Sequence, residues 1–161
     1  MADIVITVPI ATVQKEVARR TAIATETDPF YKGATTEQKQ YSQLHGEGDR
    51  ITNDFLEEAA KEVLKAYISR QGDVVGAGFE FDLANSGNIV YRFLENSVPL
   101  NANQTAAITT RLRDNTEDAL IYYVMVSLYR TDGNEKKQAE YLGKALNLID
   151  ELSGDLYRLH D

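Results

Sequence analysis

A chain of 161 residues is sized for one domain and can bury a core without covalent staples. It has no cysteine, which excludes disulfides and thiolate metal sites, and its hydrophobic and charged shares of 43% and 26% exclude wholesale disorder. The formal net charge of −8 argues against wrapping nucleic acid, because phosphate binding needs clustered Lys and Arg, and the densest basic pairs are only Arg19-Arg20 and Lys136-Lys137.

The N-terminal MADIVIT has neither a basic start nor a long apolar stretch, so no signal peptide is expected. Residues 1–8 read as an extended arm or a short strand, carried by Ile4 to Val8. From Pro9 the pattern turns helical, with Ile10, Val13, Val17 and Ile23 near one face. Proline suits a helix start, where its missing N–H costs nothing. The helix should end near Thr25, before the loop signals Asp28-Pro29 and Gly33.

TTEQ at 35–38 fits a capping box, with Thr35 as N-cap and Gln38 reaching back. Helices are expected across 9–70, with a break near 45–49, where HGEGD brings two glycines at about 1 kcal/mol each against Ala. Ile51, Phe55, Ala59, Val63 and Tyr67 recur every four residues and define the apolar stripe of a helix from about Arg50 to Ser69. The glycines of QGDVVGAG should end it.

Residues 79–95 carry the hairpin signal. Phe79, Phe81 and Leu83 alternate with Glu80 and Asp82; after Asn85-Ser86-Gly87-Asn88, Ile89, Tyr91 and Phe93 repeat the alternation. Arg92 falls on the other face, across from Glu80 or Asp82. A lone hairpin is marginal in water, so its aromatic face must lie on helices or extend a sheet made with other chains.

An αα-hairpin is expected over 103–159. Its first helix carries Ile108, Leu112, Ala119, Tyr123 and Val126; the turn is TDGN at 131–134, with Gly133 just past the helix end. The second carries Tyr141 or Leu142, Ala145, Leu148 or Ile149, Leu152, Leu156 and Leu159. The whole chain is therefore expected to form one mainly α domain. It would be a helical bundle of four to five helices with a long C-terminal αα-hairpin and one inserted β-hairpin.

Within the first of these helices, DALIYYVMVSLYR (118–130) has no charge from Ala119 to Tyr129. The run covers about half of the roughly 20 residues a membrane span needs, so a membrane is not its environment. A helix apolar all round is buried on several sides. Tyr122, Tyr123 and Tyr129 cluster there, and tyrosine suits both a monomer core and a subunit interface.

Residues with catalytic potential do not converge. His45 and His160 have no partner at ligand spacing, and Glu57, Glu58 and Glu62 lack the E-x-x-H companion of a di-iron bundle. They read as a solvated face with Lys61 and Lys65 as i,i+4 partners. Gly46-Glu47-Gly48 and Gly76-Ala77-Gly78 lack the G-K-[ST] of a phosphate loop, and Ser127 and Ser153 have no nearby base. No catalytic residue, cofactor site or metal site is expected, and the chain is not read as an enzyme.

QKEVARRTAIAT, the TTEQ helix opening, DFLEEAAKEV and the tail ALIYYVMVSLYR…AEYLGKALNLIDELSGDLYRL occur in one order. This series resembles small virion structural proteins of Bacteroides-type tailed phages and prophages, including the crAss-like group. The chain departs from that pattern by inserting HGEGD before the acidic helix. The resemblance implies a head–tail connector, or adaptor, that forms a homo-oligomeric and typically dodecameric ring. Such a ring binds the portal and other ring or tail proteins. It implies a virion location at the head–tail junction or tail, after synthesis in the host cytoplasm.

The acidic balance suits a wall past which DNA slides without specific binding. The residues expected at the interface are Tyr122, Tyr123, Met125 and Tyr129, with Phe79, Phe81, Tyr91 and Phe93 on the hairpin. The alternative is a small acidic monomeric adaptor or inhibitor acting by surface binding.

Overall fold

A computed structural model describes residues 4–35, 54–74, 79–85, 87–93 and 105–160. The β-branched run at the N-terminus forms strand β1, Ile4–Pro9, so residues 4–8 belong to a sheet and not to a free arm. Its side chains alternate as period two requires: Ile6 and Val8 are buried, Val5 and Thr7 exposed. β2, Phe79–Asn85, and β3, Asn88–Phe93, form the expected hairpin around Gly87, whose φ of 76° suits glycine.

The sheet order is β1-β3-β2, all neighbours antiparallel. The hairpin thus gains its third strand from its own chain. Ile6 lies opposite Tyr91 and Val8 opposite Ile89, and these four buried side chains share one face of the β1–β3 pair. On the other pairing Glu80 stands opposite Arg92, one of the two partners the alternation allows.

Helix α1, Ile10–Thr27, follows Pro9 directly, and the Ile10 amide donates to the Gly87 carbonyl at 3.0 Å. That bond ties the helix start to the hairpin turn. Val13, Val17, Thr21 and Ala24 face inward. Ile23 does not join them and is half exposed, because Thr21 and Thr25 take the inner positions. Thr21 can do so because its hydroxyl donates to the Val17 carbonyl at 2.8 Å.

A short 3₁₀ turn, Pro29–Tyr31, closes α1, with the Asp28 carboxylate accepting from the Phe30 amide at 3.0 Å. The expected TTEQ helix opening and the HGEGD break lie largely outside the described residues, as does Ile51.

Helix α2, Leu56–Val74, buries Ala59, Val63 and Tyr67 at the expected four-residue spacing. It continues past Gly72, since a single glycine costs only about 1 kcal/mol and does not by itself stop a helix. Helix α3, Thr105–Asp132, and helix α4, Glu135–His160, form the αα-hairpin. Gly133 makes the turn at φ 77°, and its amide bonds the Arg130 carbonyl at 3.2 Å.

The fold is mainly helical with an inserted β-hairpin, and its one large core cluster joins the sheet face to the helices. Burial of each large apolar side chain there contributes about 1.5–3 kcal/mol. No helix among the described residues is long and apolar enough to cross a membrane.

Candidate functional site

The uncharged stretch of α3 is the centre of the molecule. α1, α2, α4 and β1 all pack on α3. From Ala119 to Tyr129 every residue is buried except Tyr122 and Tyr123, which are half-buried. Its all-round apolarity is thus met by a single chain.

This sorts the expected interface residues. Met125 and Tyr129 are buried in the chain's own core, so neither offers contact surface. Tyr91 is likewise core and not an exposed hairpin face. Its hydroxyl donates to the Ala60 carbonyl of α2 at 2.8 Å, and its ring lies 5.0 Å from that of Tyr67. Burial pushes the Tyr91 phenol well above its ordinary pKa. For Phe79, Phe81 and Phe93 the structure describes the backbone only; their side chains lie outside it.

Tyr122 and Tyr123 point to different flanks of α3, as a step of about 100° per residue requires. On the first flank, the Arg20 guanidinium lies 5.2 Å from the centre of the Tyr122 ring. Tyr141 of α4 sits 5.7 Å from Tyr122 and stacks at 5.7 Å on Tyr129, while the Lys144 ammonium lies 4.7 Å from the Tyr141 ring centre. Glu16 accepts from Arg19 at 2.5 Å and from Arg20 at 2.8 Å. The Arg19 and Arg20 bonds together hold the Glu16 carboxyl down at about 2. This flank joins α1, α3 and α4 and is a structural clasp.

On the second flank, Tyr123 lines an open groove of about 490 Å³ between α2, α3 and α4. Glu58, Glu62 and Lys65 edge it from α2, Val126 lies beside Tyr123, and Leu142 closes it from α4. The Ser127 hydroxyl donates to Glu58 at 3.0 Å and fixes the α2 side. Burial, followed by the nearby Glu62 charge, raises the Tyr123 pKa and keeps the phenol neutral. The groove therefore offers an aromatic wall, an aliphatic edge and a rim of both charge signs. That composition suits contact with another macromolecular surface.

Two polar clusters escape sequence reading, because their members are far apart along the chain. Asn134 is buried at the hairpin turn. Its amide donates to Asp28 at 3.2 Å, and its side-chain oxygen accepts from the Lys137 amide at 3.3 Å. The Tyr31 hydroxyl donates to Asp132 at 3.1 Å beside it. Burial alone would raise the Asp28 carboxyl, but the Phe30 amide, Asn134 and two lysines together hold it below its ordinary value. At the other end of α3, Asp155 is buried against Arg111 at 3.2 Å.

Among the described residues no group of three or more His, Cys, Asp or Glu is placed to hold a metal ion. Compared with known proteins, the chain matches no family model, no curated protein and no solved structure.

Proposed function

We propose that this chain is a non-enzymatic structural component of a tailed-phage virion, a head–tail connector or ring protein that extends the DNA channel below the portal. The observation that carries the reading is the Tyr123 groove, which presents aromatic and aliphatic surface at the edge of an otherwise self-contained core. In a ring each subunit gives one patch and receives a different one, so a groove on one flank needs a projecting side chain from a neighbour. Exposed Phe30, on the 3₁₀ turn after α1, is such a side chain. The order of sequence motifs, which resembles that of small virion proteins, supports the virion context, and the net charge of −8 suits a channel wall to which DNA does not stick.

Purified protein mixed with a phage portal should form rings visible by negative stain and mass photometry. Tyr123→Glu should abolish them while circular dichroism stays helical. A protein that stays monomeric beside the portal, and is absent from purified virions, refutes the assignment.

A further inference from the structure

Apart from Leu142, which edges the Tyr123 groove, the outer surface of α4 has no assigned role. Its inner face is formed by Tyr141, Ala145, Leu148 and Leu152. About a third of a turn round lie Ala139, Leu142 and Leu146, all exposed, with Leu142 at 38% and Leu146 at 51%. Their spacings of three and four, continued by half-buried Ile149, are those of a two-helix seam. Lys136, Gly143 and Asp150 flank the seam along one line, each seven residues from the next, and all three are exposed. Among the described residues, nothing outside its own stretch of helix comes within 4 Å of the position of a Gly143 Cβ. Neither Lys136 nor Asp150 makes an ion pair among the described residues, although Lys137 and Lys144 both do.

The order of charges chooses the occupant. A second α4 laid antiparallel on the first places Lys136 over Asp150 of the second copy, and Asp150 over its Lys136. It brings the two Gly143 positions together at the two-fold axis, where the missing side chains allow close helix approach. Leu142 then meets Leu146 of the second copy, and Ala139 meets its Ile149. A parallel pairing would set Lys136 on Lys136 and Asp150 on Asp150, which is repulsive.

We propose that α4 is a self-association surface on which a second copy of this chain docks antiparallel. The seam is Ala139, Leu142 and Leu146, and two Lys136–Asp150 ion pairs between the chains fix its direction. The contact does not rest on the ring assignment. A two-fold interface uses one patch twice and closes at two chains, whereas a ring needs two different patches. Three turns of helix make a small interface, so the dimer is weak and concentration-dependent.

Sedimentation equilibrium of the protein alone, without portal, tests it through the micromolar range. The expected result is a monomer–dimer equilibrium that stops at two chains. Lys136→Glu and Asp150→Lys should each weaken the dimer about tenfold, and the double variant should restore it. Leu142→Asp with Leu146→Asp should give a monomer with unchanged helical circular dichroism.

Direction is read separately, since the chain has no native cysteine to confuse the result. A short bis-maleimide should join Lys136→Cys protein to Asp150→Cys protein far better than it joins either to itself. A monomer at every concentration, a ladder beyond two chains, double-variant failure to restore, or preferential Lys136→Cys self-coupling each overturns the proposal.

Discussion

Tyr129 carries a hydroxyl buried in the core with no hydrogen-bond partner among the described residues, although its ring is well packed against Tyr141. Burial raises its pKa, so the phenol is neutral and its O–H bond is a stranded dipole. A buried polar group without a partner costs about 1–3 kcal/mol relative to one that keeps its bonds to water. Tyr129→Phe removes that group and keeps the stacked ring, so it should stabilise the fold by about 1–2 kcal/mol.

For a chain of this length that corresponds to a rise in Tm of roughly 2–8 °C. Tyr91→Phe is the control of opposite sign. Its hydroxyl is satisfied by the Ala60 carbonyl, so its loss should cost about 1 kcal/mol. Urea unfolding followed by far-ultraviolet circular dichroism, with calorimetry at neutral pH, measures both. A Tyr129→Phe protein no more stable than wild type, beside a Tyr91→Phe protein that is less stable, would falsify the reasoning.

Asn134→Ala should destabilise by about 1–2 kcal/mol in the same assay, because it removes the α4 cap and leaves Asp28 short of a donor. Restoring a donor with Asn134→Gln should not recover the loss, since the longer side chain cannot both cap α4 and reach Asp28. Glu16 sets a pH dependence. Its carboxyl is near 2 in the fold against an ordinary 4.5, so its contribution is fully present above about 4.5 and is lost as pH falls from there toward 2. The stability gap between wild type and Glu16→Gln should therefore shrink across that window in an acid titration of Tm, and a gap that widens would contradict the clasp.

The αα-hairpin was legible because its signals are local: TDGN with Gly133 at positive φ, between two periodic helices. The hairpin was legible for the same reason, but alternation left Arg92 across from either Glu80 or Asp82; the irregularity between Leu83 and Asn85 sets it against Glu80. The sheet was less so. Ile4 to Val8 looked equally like an arm, because pairing with β3 joins residues more than eighty apart. With arm and strand both open, the hairpin's aromatic face could lie on helices or on other chains, and the expectation of Tyr91 at an interface gives way to its cover by α2.

Hydropathy also misplaced Ile23. Buried Thr21 and Thr25 return their hydroxyls to carbonyls of their own helix, which makes them cheap to bury and frees Ile23 to face outward. Of the expected interface residues whose side chains are described, Tyr122 and Tyr123 remain partly at the surface, and Tyr123 is the one that opens onto a groove. The roles of Arg20, Lys144 and Asn134 depend on contacts between distant segments, which no local pattern encodes.

The central helix explains why folding and assembly can be separated in this chain. Had the run from Ala119 to Tyr129 needed a second copy to cover it, every contact residue would also be a stability residue. Instead the sheet, α1, α2 and α4 cover it within one chain, and only the Tyr122 and Tyr123 edges stay partly open. Tyr122 is then engaged by Arg20 and Tyr141, so substituting it loosens three helices at once. Tyr123, Leu142 and Leu146 lie outside that clasp, and changes there alter surface without opening the core. A contact surface built from such residues can change its partner while the monomer keeps its stability. Under the proposed connector reading, that separation is what a subunit made as a free chain and assembled later requires.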